Sequence, residues 1–152
     1  MPADFIIDTD LGVVFSCGSG ALSYADTVGH MNRLTSDARF RPDFRQIMDF
    51  REATPVQITS AEILELAERE VFGPCSRRAF VVASDLQFGL CRMFGLHREA
   101  RGEPTIRIFR DMPEAIAWIE VPAEAAQQAF DALKSGMGGK PPPQESRPQS
   151  TG

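Results

Sequence analysis

Five consecutive apolar residues, Ala79-Phe80-Val81-Val82-Ala83, stand directly before Ser84-Asp85-Leu86-Gln87. A strand apolar on both faces leaves no side for solvent, so it belongs at the centre of a parallel sheet covered by helices. The four residues after it read as a capping box. Ser84 accepts from the backbone N–H of Gln87, and the Gln87 side chain reaches back. A buried strand running straight into a capped helix is the repeating unit of an α/β fold.

The same joint recurs along the chain. Thr105 to Phe109 reads as a strand, followed by Asp111 as N-cap, Pro113 in the first turn and Glu114 completing a capping box. Ala115, Ile116, Trp118 and Ile119 give that helix its apolar face. Thr59-Ser60-Ala61-Glu62 opens another helix, with the stripe Ile63, Leu66, Ala67 and Val71, ended by Gly73-Pro74. Nearer the start, Phe5-Ile6-Ile7 and Val13 to Cys17 flank the turn Asp8-Thr9-Asp10-Leu11-Gly12, a hairpin signal. Gly18-Ser19-Gly20 breaks the second strand. Ser23 caps a helix to about Thr35 through Val28, Met31 and Leu34, and Arg45 to Phe50 reads as a strand.

After Ser84 the helix carries Leu86, Phe88, Leu90, Cys91 and Phe94, with Gly95 or Gly102 near its end. Val121-Pro122 begins a last helix bearing Ala125, Ala126, Ala129, Phe130 and Leu133. The order β-β-α-β-α-β-α-β-α-α predicts an α/β fold, a mixed sheet packed with helices, in one domain over 1–133. Residues 134–152 are rich in Pro and Gly and hold too little apolar surface to offset ordering, so they read as a disordered tail.

The 152 residues carry a formal charge of −5. Lys134, Lys140 and Arg147 against Glu145 give the end of the chain +2 and leave −7 for residues 1–133. An acidic body lacks the basic footprint that nucleic-acid binding needs. Arg39, Arg41, Arg45 and Arg51 fall close together and read as a solvated face rather than a binding patch. Cys17, Cys75 and Cys91 form no CxxC pair, which fits a reducing, cytoplasmic setting and two small core residues at 17 and 91. No apolar run reaches the ~18 residues of a membrane span.

The residues capable of chemistry do not assemble into a strong motif. Asp49, Asp85 and Asp111 each lie at or just after a strand, but Asp85 and Asp111 have helix starts to serve, and a receiver domain would want a late lysine that residues 1–133 lack. Gly18-Ser19-Gly20 has neither the third glycine of a dinucleotide fingerprint nor the Gly-Lys of a P-loop. His30 and His97, the two histidines, have no partner at metal spacing. Ser60, Ser84 and Cys91 lack a nucleophile elbow.

Taken together, Gly18 and Gly20, the helix with His30 and Leu34, Asp37 to Pro42, Asp49-Phe50-Arg51, Phe80 to Gly89, Arg92-Met93 and Phe109 to Trp118 resemble the SpoIIAA-like branch of the STAS-like proteins (sulphate transporters and anti-sigma-factor antagonists) over about 5–120. The resemblance implies an α/β mixed sheet, no catalysis, and a part in protein interaction or ligand sensing. Wider kinship to lipid-carrier domains implies an apolar ligand. The antagonists carry a phosphorylatable Ser where a loop enters a helix, a place matched here by Thr59 and Ser60. Ile58-Thr59-Ser60-Ala61-Glu62 has neither the acidic residue nor the Gly of that pattern, so helix capping is the simpler reading.

The expected function is therefore a non-catalytic regulatory module with a protein partner, with Thr59 and Ser60 as candidate phosphorylation or contact residues. Its alternative is a lipid-like ligand carrier or sensor with Phe88, Met93, Trp118 and Phe130 around an apolar pocket. Neither reading calls for a cofactor or a metal, and self-association stays open.

Overall fold

The computed structural model describes residues 2–102 and 105–137. The start of the expected tail proves helical to Met137, and its remainder, 138–152, lies outside the described residues. Strands β1 (Ala3–Asp8) and β2 (Val13–Ser19) form the expected hairpin. Gly12 closes its turn at φ +68, a backbone conformation that favours glycine, while the Asp8 carboxylate accepts from Leu11 N–H at 2.9 Å.

Then follow β3 (Leu22–Ser23), α1 (Tyr24–Ser36), β4 (Arg45–Glu52), β5 (Val56–Gln57), α2 (Ser60–Ala67), β6 (Arg78–Val81), α3 (Asp85–Ala100), β7 (Ile106–Phe109), α4 (Met112–Ile119) and α5 (Ala123–Met137). The fold is α/β. The main sheet has the order β1-β2-β4-β6-β7, with β1 antiparallel to β2 and all other pairs parallel. Two-residue strands β3 and β5 add a small parallel pair that their length hides from the sequence.

Alternation along the strands sends side chains to two separate cores. Val13, Phe15, Cys17, Ile47, Ala79 and Val81 meet α4 and α5 through Ala115, Ile119, Ala126 and Phe130. Met48 and Phe80 on the opposite face meet α1, α2 and α3 through Met31, Ile63, Leu66, Cys91 and Phe94. Strands added in one direction by right-handed crossovers put their connecting helices on a single face, which is where α1, α2 and α3 lie.

Caps form at three of the expected helix starts. Ser23 pairs with Asp26, Thr59 with Glu62 and Ser84 with Gln87, each in a reciprocal box. Asp111 is a correction: it occupies the N-cap of α4 but makes no side-chain cap bond. Pro113, the second helical residue, has no N–H, which removes one of the two donors such a side chain caps.

Two boundaries also differ, and α3 takes the second of its two expected ends. Strand β6 begins at Arg78 and stops at Val81, because Gln87 Oε1 takes the N–H groups of Ala83 (2.8 Å) and Ser84 (3.2 Å). Helix α2 ends at Ala67 rather than Gly73, where the buried Arg98 guanidinium donates to Ala67 O at 2.9 Å. Helix α3 runs through Gly95 and ends before Gly102, whose φ of +95 turns the chain.

Candidate functional site

A partly enclosed cavity of about 110 Å³ lies between the sheet and α1, α2 and α3. Its floor is the helix-facing side of β4 and β6. Period two along β4 puts Gln46, Met48 and Phe50 on that side, and along β6 it puts Arg78 and Phe80 there. The walls come from apolar positions of the helices, among them Met31 and Leu34 of α1, Ile63 and Leu66 of α2, and Cys91 and Phe94 of α3. Edge-on ring contacts hold part of the floor, with Phe50 and Phe80 centroids 5.6 Å apart.

Polar groups enter this apolar space at two ends. At the start of the strands, Arg78 Nε donates to Gln46 Oε1 (3.1 Å), and Gln46 Nε2 donates to Ser16 Oγ (3.1 Å). The Arg78 guanidinium rests over the rings of Phe72, Phe80 and Phe94 at 4.5, 5.2 and 5.4 Å. At the far end, Gln87 Nε2 donates to the carbonyls of Phe50 and Ala53, closing the loop after β4 against α3.

His30 reaches the cavity from α1 and packs edge-on against Phe5 at 5.5 Å. Burial, with help from the neighbouring Arg33 charge, pushes its imidazole down to about 4, so it is neutral at pH 7. Cys91 in the wall has its thiol pushed up to about 12 by burial, and Cys17 on the other face is raised to about 11, chiefly by burial and then by Asp49. Both are protonated core residues, and thiolate chemistry is closed to them.

The structure separates the four residues expected around a pocket. Phe130 sits in the core beneath α5, its ring edge-on to Phe15 at 5.6 Å. Trp118 lies on that same face against Phe109, with the Arg77 and Arg107 guanidiniums 5.4 and 5.5 Å from its ring. Phe88 and Met93 belong to the opposite face, packed against the second core. None of the four lines the cavity, and Phe88 borders a separate polar groove between α3 and the edge strand β7.

Thr59 and Ser60 stand exposed at the start of α2, with the Thr59 hydroxyl accepting from Glu62 N–H at 3.1 Å. Asp49 is buried and pairs with Arg51 (2.9 Å), while Lys134 approaches Asp49 at 3.8 Å and Glu52 at 3.4 Å. Asp85 pairs with Arg110 at the surface. Arg45 and Arg51 lie toward opposite ends of β4, roughly 20 Å apart at strand rise, and Arg45 is spent on the carbonyls of Leu11 and Ile119. No group of three metal-ligating side chains gathers among the described residues. Nor is any helix among them long and apolar enough to cross a membrane.

Sequence reasoning missed Gln46 and Arg78, the inward placement of His30, and the place of the capping residue Gln87 in the lining. One signal was present. Gln46 shares its strand phase with Met48 and Phe50, and Arg78 shares its phase with Phe80. A polar residue in the inward phase of a buried strand marks a place where the core must make hydrogen bonds. No family model matches the chain, and no curated protein matches its sequence.

Proposed function

We propose that this chain is a non-catalytic binding module of STAS-like type whose cavity takes a small apolar ligand, as a sensor or carrier. One observation carries this reading: an apolar space of about 110 Å³ remains between the sheet and α1 to α3, although protein interiors normally pack without voids. An engineered apolar cavity of about 150 Å³ binds benzene. A volume of this order suits a ligand from benzene to a six-carbon chain in size. A phospholipid would require the helices to part. The free thiols Cys17, Cys75 and Cys91 support a reducing, cytoplasmic setting.

Native mass spectrometry of the chain purified without detergent tests the reading. The expected result is an added mass, or a thermal shift on adding a small apolar molecule such as 1-hexanol. A clean apo mass with no thermal shift across such molecules counts against it.

A second reading, a regulatory module that binds a protein, is favoured by three large apolar side chains in solvent, Leu64 on α2 and Leu86 and Leu96 on α3. Chemical cross-linking at native expression levels tests it. A partner held by the unaltered chain and lost in the triple Leu→Ser variant supports it, and no partner in either counts against it.

A further inference from the structure

The cavity also specifies one polar atom of its ligand, an inference that rests on the apolar-ligand reading above. His30 lines the space and is 5% exposed. Among the described residues, its Nε2 is a buried side-chain atom with no hydrogen-bond partner. Leaving such a group unmet is unfavourable, so it invites a polar atom from whatever fills the space. The other polar side chains of the lining already have partners. Gln87 uses both ends of its amide on backbone groups, Gln46 bridges Arg78 and Ser16, and the Thr27 hydroxyl donates to Ser23 O. His30 Nε2 is therefore the position left for a ligand, on a ring that burial keeps neutral at pH 7. A full charge costs far more to bury than a hydroxyl, and a neutral imidazole offers it one hydrogen bond and no counter-charge.

We propose that the cavity binds a small uncharged molecule carrying one hydroxyl, a phenol or a short alcohol, whose hydroxyl pairs with His30 Nε2. Its apolar remainder occupies the space lined by Met31, Met48 and Phe80. A hydroxyl donates to a bare Nε2 or accepts from Nε2–H, so it meets the neutral ring in either tautomer. A ketone or an ether only accepts, and serves one tautomer alone.

Calorimetric titration of the full chain with phenol and with benzene tests the proposal, because the two differ by the hydroxyl alone. Phenol is expected to bind at least as tightly as benzene, although its hydroxyl must leave water. In His30→Leu, phenol should weaken relative to benzene by about tenfold, the worth of one buried hydrogen bond. Phenol binding more weakly than benzene in the unaltered chain overturns the hydroxyl assignment and leaves the cavity reading standing. A phenol-to-benzene affinity ratio unmoved by His30→Leu overturns the role of His30. Should His30→Leu fail to fold, imidazole ¹⁵N shifts of the unaltered chain decide. Saturating phenol must move the Nε2 resonance, and an unmoved Nε2 overturns the proposal. No binding of either probe fails the cavity reading along with the hydroxyl.

Discussion

His30 gives the molecule a pH response of calculable sign. The unfolded imidazole takes a proton near 6.5, while the buried one resists until about 4. Protons therefore favour the unfolded chain between those values, and stability falls as pH drops through that window. The expected loss is on the order of 3 kcal/mol for a shift of this size. Urea unfolding from pH 7 to 4.5 measures it, and His30→Leu should flatten the slope. The lowered carboxyls of Asp26, Asp37 and Glu68 act in the same direction but below their ordinary range near 4, so the upper window isolates His30. At the start of α2, Thr59→Ala should cost about 1 kcal/mol, and Ser60→Ala much less, because Thr59 makes the cap bond. Equal costs in chemical denaturation would contradict that assignment. These caps were legible because Ser or Thr followed three residues later by Asp, Glu or Gln is a local chemical pattern. Asp111 escaped the same logic because Pro113 withholds a donor.

At the scale of the element, order and type were legible, and the ends were not. Apolar alternation and capping boxes announce each strand–helix joint, as at Ala79 to Gln87. Helix α2 stops at Ala67 because Arg98, 31 residues later, satisfies that carbonyl. No local signal encodes a bond of that separation. Replacing Arg98 with Met leaves the buried carbonyl unmet and should cost about 1–3 kcal/mol. Hydrogen exchange should then show the last turn of α2 opening ahead of α3. Unchanged protection there would mean that the bond contributes nothing to the helix end. Strand β6 makes the complementary point. Its buried residues Ala79 and Val81 face one core and Phe80 the other. Phe80→Ala should destabilise by about 3–5 kcal/mol, the usual range for removing a core aromatic, as read by the unfolding midpoint.

The whole molecule is a sheet with two unlike faces. Beneath α4 and α5, Phe15, Phe130, Ile119 and small residues pack into one core. Beneath α1, α2 and α3 a space remains, bordered by Gln46, Arg78 and His30. This difference was not legible in the sequence, where Trp118 and Phe130 look as suited to a pocket as Phe80 and Phe94. A cavity is what remains after packing, and composition does not reveal it. Which apolar residues share a face depends on sheet order and crossover hand, and those become concrete only in three dimensions.

The proposed function stands on this space holding a small apolar molecule. Calorimetric titration of 1-hexanol, repeated at several temperatures on the unaltered chain and on Val56→Trp, tests it most directly, since Val56 lines the cavity and is only half-buried. Saturable one-to-one binding with a negative heat-capacity change is expected, abolished when the indole fills the space. Absence of saturable heat, or undiminished binding by a folded Val56→Trp variant, would contradict it.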